Sequence, residues 1–184
     1  MNKSRPVYPP FSIDPAARCH LIVTDQPLPP PSDNLPHENL EIWLVATAAP
    51  GVPAQATGAA RAFRAVPELL THLKHRLARE QIGLRLYAIG AESFLWDVHN
   101  LARGEGLAAD EIRLTKAGPN LRRVYCTHCK TVIQNAAVNV IECPGCGASL
   151  FVRDHFSRRL AAFMGVKIDA EVPGDPFVPE PFAT

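Results

Sequence analysis

Four runs of consecutive apolar, often β-branched residues punctuate the first two thirds of the chain: Cys19 to Thr24, Glu41 to Ala46, Leu84 to Gly90 and Glu111 to Thr115. Their near-continuous apolar character, rather than strict alternation, predicts strands of a parallel sheet covered on both faces. Between the second and third, Ala59 to Glu80 carries Ala62, Phe63, Val66, Leu69, Leu70, Leu73 and Leu77 at spacings of three and four, the signature of an amphipathic helix. Pro67 should split that helix, leaving Val66 as a boundary and the proline in a first helical turn. A second helix is expected to open at Ala91-Glu92-Ser93-Phe94-Leu95-Trp96 and to end near Gly104 or Gly106. The order strand, helix, strand, helix, strand predicts a Rossmann-like α/β half. Further on, Phe156, Leu160, Phe163 and Met164 would share one face of a short helix, capped by Asp154 and ended by Gly165.

With 184 residues, 47% of them in the hydrophobic class, the chain can build one ordinary core and a small appendage. Eleven of the eighteen prolines gather in Pro27 to Pro36, at Pro50 and Pro53, and from Pro173 to Pro181, which reads as extended connectors or wrapping arms. The expected organisation is a proline-rich arm with one strand over 1–40, a Rossmann-like α/β domain over 41–120, a four-cysteine domain with the short helix over 121–167, and an acidic, proline-rich docking tail over 168–184. Charge follows these divisions. Residues 1–120 carry twelve bases and twelve acids, and residues 121–167 carry seven bases against two acids, a local +5. The tail has Asp169, Glu171, Asp175 and Glu180 without a base. A basic domain beside an acidic tail points to docking within the chain or onto a charged partner.

The strongest chemical signal lies in the basic segment. Cys126-Thr127-His128-Cys129 and Cys143-Pro144-Gly145-Cys146 are two CxxC pairs separated by a short spacer. Each pair can bite one metal ion as a tight knuckle, and two knuckles close a tetrahedral cage of sulfur. A start of Met1-Asn2-Lys3-Ser4-Arg5-Pro6 carries no secretory apolar region and no stretch approaches the length of a membrane span, so a cytoplasmic, reducing setting is expected, in which paired CxxC motifs mean metal rather than disulfides. A closed four-thiolate site favours structural zinc. Iron competes: Cys143-Pro144-x-Cys146-Gly147 fits the second knuckle of a rubredoxin-like centre, whereas Lys130 follows Cys129 where a knuckle commonly has glycine. His128 is expected outside the metal's ligand set and Cys19 as a packed thiol.

Other chemistry is weakly signalled. The turn Thr47-Ala48-Ala49-Pro50-Gly51-Val52-Pro53 is not a glycine-rich dinucleotide fingerprint, and the sequence has no Gly-x-Ser-x-Gly, HExxH or phosphate-binding loop. His72 and His75, at i and i+3, read as solvated, and His99 beside Trp96 and Asp97 as a helix edge. The stretch Gly90 to Val98, followed by Gly106-Leu107 and Glu111-Ile112, resembles the closing strand-helix-strand of the nicotinamide domain in ferredoxin-type oxygenase reductases.

From about Tyr125 to Pro173 a more specific likeness appears. The two CxxC pairs, Ser149-Leu150-Phe151-Val152-Arg153-Asp154-His155-Phe156-Ser157-Arg158-Arg159-Leu160 and Asp169-Ala170-Glu171-x-Pro173-Gly174 together resemble the small subunit family of bacterial dimethylamine monooxygenase. The resemblance implies an accessory subunit of an NAD(P)H- and O2-dependent assembly that converts dimethylamine to methylamine and formaldehyde, with reductase and oxygenase chains as partners carrying the other cofactors. It carries over the four cysteines as metal ligands and no catalytic residue. The apolar face containing Phe156 must pack on the α/β domain or on a partner, with Arg153, His155, Arg158 and Arg159 flanking that contact. Two alternatives stay open: an Fe(Cys)4 electron carrier of the same assembly, and a zinc ribbon binding nucleic acid. The near-neutral pI of about 7.7, the acidic tail and the few aromatics near the knuckles weigh against the latter.

Overall fold

The computed structural model describes residues 4–27, 39–45, 60–80, 82–168 and 178–182. The chain divides into two compact units, one formed by Tyr8–Gly118 and the other by Met1–Val7 with Pro119–Thr184. The turn from Thr47 to Pro53 lies outside the described residues.

The first unit is a five-stranded parallel sheet of β1 (Cys19–Thr24), β2 (Leu40–Val45), β3 (Ala60–Phe63), β4 (Leu84–Gly90) and β5 (Ile112–Lys116), in the order β3-β2-β1-β4-β5. Helices α1 (Val66–Leu77) and α2 (Glu92–Gly104) follow β3 and β4. This is the Rossmann-like α/β half that the apolar runs predict, and β1, the strand nearest the N-terminus, is its centre. Side chains alternate across the sheet. Leu21, Val23, Trp43, Val45, Leu86 and Ala88 pack against Leu69, Leu73 and Leu77 of α1 and Phe94, Leu95, Val98 and Ala102 of α2. On the other face Ile22 sits opposite both Ile42 and Tyr87, and Phe11 and Ile13 of an extended segment pack against this smaller cluster.

Helix α1 begins where Pro67 allows, with no intrahelical N–H lost, and Glu68 accepts the Arg64 N–H at 2.8 Å from the first turn. Lys74, His75 and Arg76 occupy its last turn, the favourable end of the helix dipole for cations. The expected helix is corrected at its start: Ala60 to Phe63 is the edge strand β3, paired in parallel with β2 from Ile42 to Val45. Those four residues fit a helical spacing equally well, and pairing with β2 decides the matter.

The second unit holds β6 (Arg122–Cys126), β7 (Val132–Ala136), β8 (Val140–Glu142), β9 (Ser149–Ser157) and β10 (Ala162–Lys167), ordered β7-β6-β10-β9-β8. β10 runs parallel to β6, and the other pairs are antiparallel. The short helix expected around Phe156 to Met164 is instead the turn and flanks of the β9-β10 hairpin. Phe156 and Phe163 lie directly across from one another, with ring centroids 5.0 Å apart in an edge-to-face contact. A separation of seven residues brings side chains together over two helical turns or across a tight hairpin, so spacing alone does not separate the two. Asp154 is a strand residue rather than a cap, and Gly165 lies inside β10, where a Cβ would come within 2.8 Å of Val124 Cγ1.

Among the described residues no helix is long and apolar enough to cross a membrane.

Candidate metal centre

Each CxxC pair occupies the turn of one hairpin: Cys126 and Cys129 between β6 and β7, Cys143 and Cys146 between β8 and β9. The two turns repeat the same backbone bonds. Cys126 N–H donates to Thr131 O at 2.9 Å and Lys130 N–H to Cys126 O at 3.0 Å, while Cys143 N–H donates to Ala148 O at 2.9 Å and Gly147 N–H to Cys143 O at 2.8 Å. The residue after each second cysteine is left-handed, Lys130 at φ 68° and Gly147 at φ 67°. This explains why glycine suits the position and why Lys130 is the strained member. Its Nζ donates to Thr127 O at 2.8 Å across the turn.

The four sulfurs lie within 4.8 Å of one another, and all four cysteines are free thiols. The sulfurs of Cys129 and Cys143 stand 3.5 Å apart. With metal–sulfur bonds of about 2.3 Å, a tetrahedral site needs sulfurs roughly 3.8 Å apart, so this cluster could hold a metal ion with little adjustment. Cys126 and Cys143 are buried and pack with Leu150, Ile133, Ile141 and Ala148, while Cys146 is on the exposed side. The Thr131 hydroxyl, 3.1 Å from Cys129 Sγ, and the Thr131 backbone N–H stabilise the thiolate of Cys129, bringing its pKa down to about 6. At Cys146 the Ala148 N–H favours the thiolate, but desolvation and the sulfurs of Cys129, Cys143 and Cys126 prevail, and its pKa is pushed up to about 12. Four thiolates cannot share this space without a cation to hold them.

Backbone proximity tightens the second knuckle. A Cβ on Gly145 would stand 2.1 Å from Thr131 Oγ1 and 3.2 Å from Cys129 Sγ, so the glycine lets one knuckle close on the other. The first knuckle is tied to β10 through Thr127, whose N–H and hydroxyl both donate to Gly165 O, at 3.0 and 3.1 Å. His128 is exposed and outside the sulfur cluster.

The residues expected to flank a partner contact are distributed along the hairpin. Phe156 is 7% exposed and spent on Phe163, Arg158 and Arg159 are exposed in the turn, and His155 is exposed with Nδ1 3.4 Å from Ser4 Oγ. Arg153 is half-buried in β9. Sequence reasoning missed Arg122, which it counted as surface charge. Arg122 is 4% exposed, its guanidinium lies 4.2 Å from the Phe163 ring centroid and 3.9 Å from that of Phe182, and Asp154 pairs with it at 2.9 Å. The described part of the tail packs there, with Asn120 Nδ2 donating to Phe182 O at 3.0 Å and Asn139 N–H to Glu180 O at 2.9 Å. Aromatic Phe182 in an acidic tail was the available clue.

In the sheet unit, strand order reverses direction of growth between β1 and β4, the place where open α/β folds receive ligands. Here the N-terminus of α2 is met by the chain's own carboxylate: Asp25 Oδ1 accepts the Ala91 N–H at 3.0 Å, and a Cβ on Gly90 would lie 1.8 Å from that oxygen. Desolvation nevertheless raises the Asp25 pKa to about 6. Trp96 and His99 form an edge-to-face ring pair, and the Trp96 indole N–H donates to Tyr8 OH, which donates to the buried Glu92. Cys19 packs half-buried beside the main core.

Comparison with known proteins agrees with both units. The family model described as dimethylamine monooxygenase subunit DmmA-like, C-terminal domain, matches residues 123–166, and its N-terminal counterpart matches residues 46–112. The heme-dependent oxidative N-demethylase delta subunit of Ectopseudomonas mendocina (strain ymp) is 36% identical over 170 residues, covering 92% of this chain and 91% of that protein. No solved structure matches. With both domains of the family present in order and a relative aligned over nearly its whole length, the chain belongs to the dimethylamine monooxygenase DmmA-like subunit family.

Proposed function

We propose that this chain is an accessory subunit of a cytoplasmic, multi-subunit oxidative N-demethylase acting on dimethylamine, and that Cys126, Cys129, Cys143 and Cys146 hold a structural zinc ion. The observation that carries the reading is the pair of matched knuckles bringing four free thiols within 4.8 Å, in a chain whose 36% identical relative is named as the delta subunit of a heme-dependent oxidative N-demethylase. Zinc bound there would cross-link two hairpins and supply no redox chemistry. The chain's own residues prepare the site: Thr131 stabilises the Cys129 thiolate, Gly145 permits the close approach, and Thr127 fastens the first knuckle to β10. NAD(P)H oxidation, oxygen chemistry and the heme in the relative's name fall to reductase and oxygenase partners, and Arg153, His155, Phe156, Arg158 and Arg159 mark the hairpin through which this chain would meet them.

A second reading, a rubredoxin-like Fe(Cys)4 carrier, is favoured by one observation: Cys146 lies on the exposed side, where an electron could enter. Metal analysis with a visible spectrum on anaerobically purified protein separates the two. About one zinc per chain and no colour of its own supports the structural subunit. One iron with thiolate-to-iron charge-transfer bands that bleach on reduction overturns zinc and makes the chain an electron carrier.

A further inference from the structure

The sheet unit carries a cationic recess unrelated to the cysteine cluster. Trp43 of β2, Arg61 of edge strand β3 and His72, His75, Arg76 and Arg79 of α1 and its C-terminal flank line an open depression of about 260 Å³. Arg76 is committed to Glu41 and Glu80. Arg61 and Arg79 are exposed and have no acidic partner among the described residues. The Arg61 guanidinium rests on the rings of Trp43 and Phe63, 5.2 and 5.5 Å from their centroids, which fixes it at the recess. Trp43 itself is 1% exposed and stands under the Arg61 guanidinium, so its indole N–H signal reports on events at the recess.

The two uncommitted guanidinium forks come from different elements and only donate, while the exposed imidazoles of His72 and His75 can donate or accept. We infer that this recess binds the phosphate group of a small phosphorylated ligand, with Arg61 and Arg79 pairing its oxygens and Trp43 forming part of the wall. Phosphate is preferred to carboxylate because its charge of nearly −2 matches two uncommitted guanidinium groups, and its oxygens point in several directions, so that forks from two elements can pair with it at once. The small volume suits a compact phosphomonoester.

The test follows the indole N–H. In the full-length, metal-loaded, 15N-labelled protein, inorganic phosphate and then a sugar phosphomonoester are titrated at constant ionic strength, with succinate and chloride as contrasting anions. Trp43→Phe identifies which of the two tryptophan indole signals belongs to Trp43. A saturable shift of the Trp43 signal with phosphate, weakened at least tenfold by Arg79→Gln and by Arg61→Gln, supports the inference. Arg79 is exposed, so its variant should fold, and an unchanged melting temperature checks this. The inference is overturned by an unmoved signal at millimolar phosphate, by an equal response to succinate or chloride, or by a shift that survives both arginine substitutions. Because the readout lies in the sheet unit and is independent of metal identity, its failure would leave the reading of the cysteine centre untouched.

Discussion

Gly145 decides how closely the two knuckles approach. Alanine there would force its methyl into the Thr131 hydroxyl, 2.1 Å away, with Thr131 Cβ at 3.1 Å and Cys129 Sγ at 3.2 Å. Gly145→Ala should therefore weaken metal retention by roughly 10-fold to 100-fold, the range for groups that orient metal ligands. Competition with a chromophoric chelator measures this. Adding Thr131→Ala removes the nearest clashing atom and should recover part of the loss, since the two residues share one contact. At Asp25 a different balance applies. Its folded-state pKa of about 6 lies above the ordinary aspartate value of 3.8, so the folded chain holds the proton more tightly than the unfolded chain. Stability should fall as pH rises from about 4 to about 6, with the full penalty present above that window. The difference bounds the penalty at about 3 kcal/mol, and solvent reaching this half-buried side chain reduces it to on the order of 1 kcal/mol. Asp25→Asn keeps an oxygen for the Ala91 N–H. It should raise the unfolding free energy at pH 8 by that amount and flatten the slope between pH 4 and 6, as read from denaturation at a series of pH values.

At the level of elements, the β9-β10 hairpin divides two roles between its paired strands and its turn. Phe156 closes the hairpin core against Phe163, so Phe156→Ala should cost about 3 kcal/mol of that unit's stability. Arg158 and Arg159 project from the turn, so reversing both to glutamate should leave the melting temperature and metal content within error while reducing co-purification with partner subunits several-fold. Equal effects on stability from both changes would show that the turn arginines serve folding. The contrast also shows what could be read in advance. β1 and β4 were legible to their end residues, and β2 and β5 to within one, because each is a continuous apolar run, and α1 and α2 because their apolar spacing is backed by Pro67 and by a glycine at or near the end. Ala60 to Phe63 and the Phe156–Phe163 segment were not, because in both a spacing of three, four or seven satisfies two geometries and only the neighbouring strand selects one. The four cysteines were legible as a set because CxxC spacing is local. Arg122 was not, because its partners Asp154 and Phe182 stand 32 and 60 residues away.

Across the whole molecule, the two units draw on different sources of stability. The sheet unit buries a broad cluster beneath two helices, with Leu69, Leu73, Leu86, Leu95 and Val98 all at 0% exposure. The cysteine unit has few large buried side chains, and two of its buried residues are the metal-site thiols Cys126 and Cys143. A unit of that size seldom supplies more than about 3–5 kcal/mol from its core alone. Metal binding to four thiolates typically contributes about 10 kcal/mol or more to folding. Removing the metal with a strong chelator under reducing conditions should therefore unfold 119–168 selectively. Both helices and both tryptophans lie in the sheet unit, so helical circular dichroism and tryptophan emission should hardly change. Proteolytic sites should open between Leu121 and Lys167, and the resonances of the β6, β9 and β10 strands should collapse toward random-coil positions. Restoring one equivalent of zinc should reverse both effects. If helical signal and tryptophan emission are instead lost in step with the cysteine unit, the two units fold as one, and the metal is a stabiliser of the entire chain rather than of its smaller part.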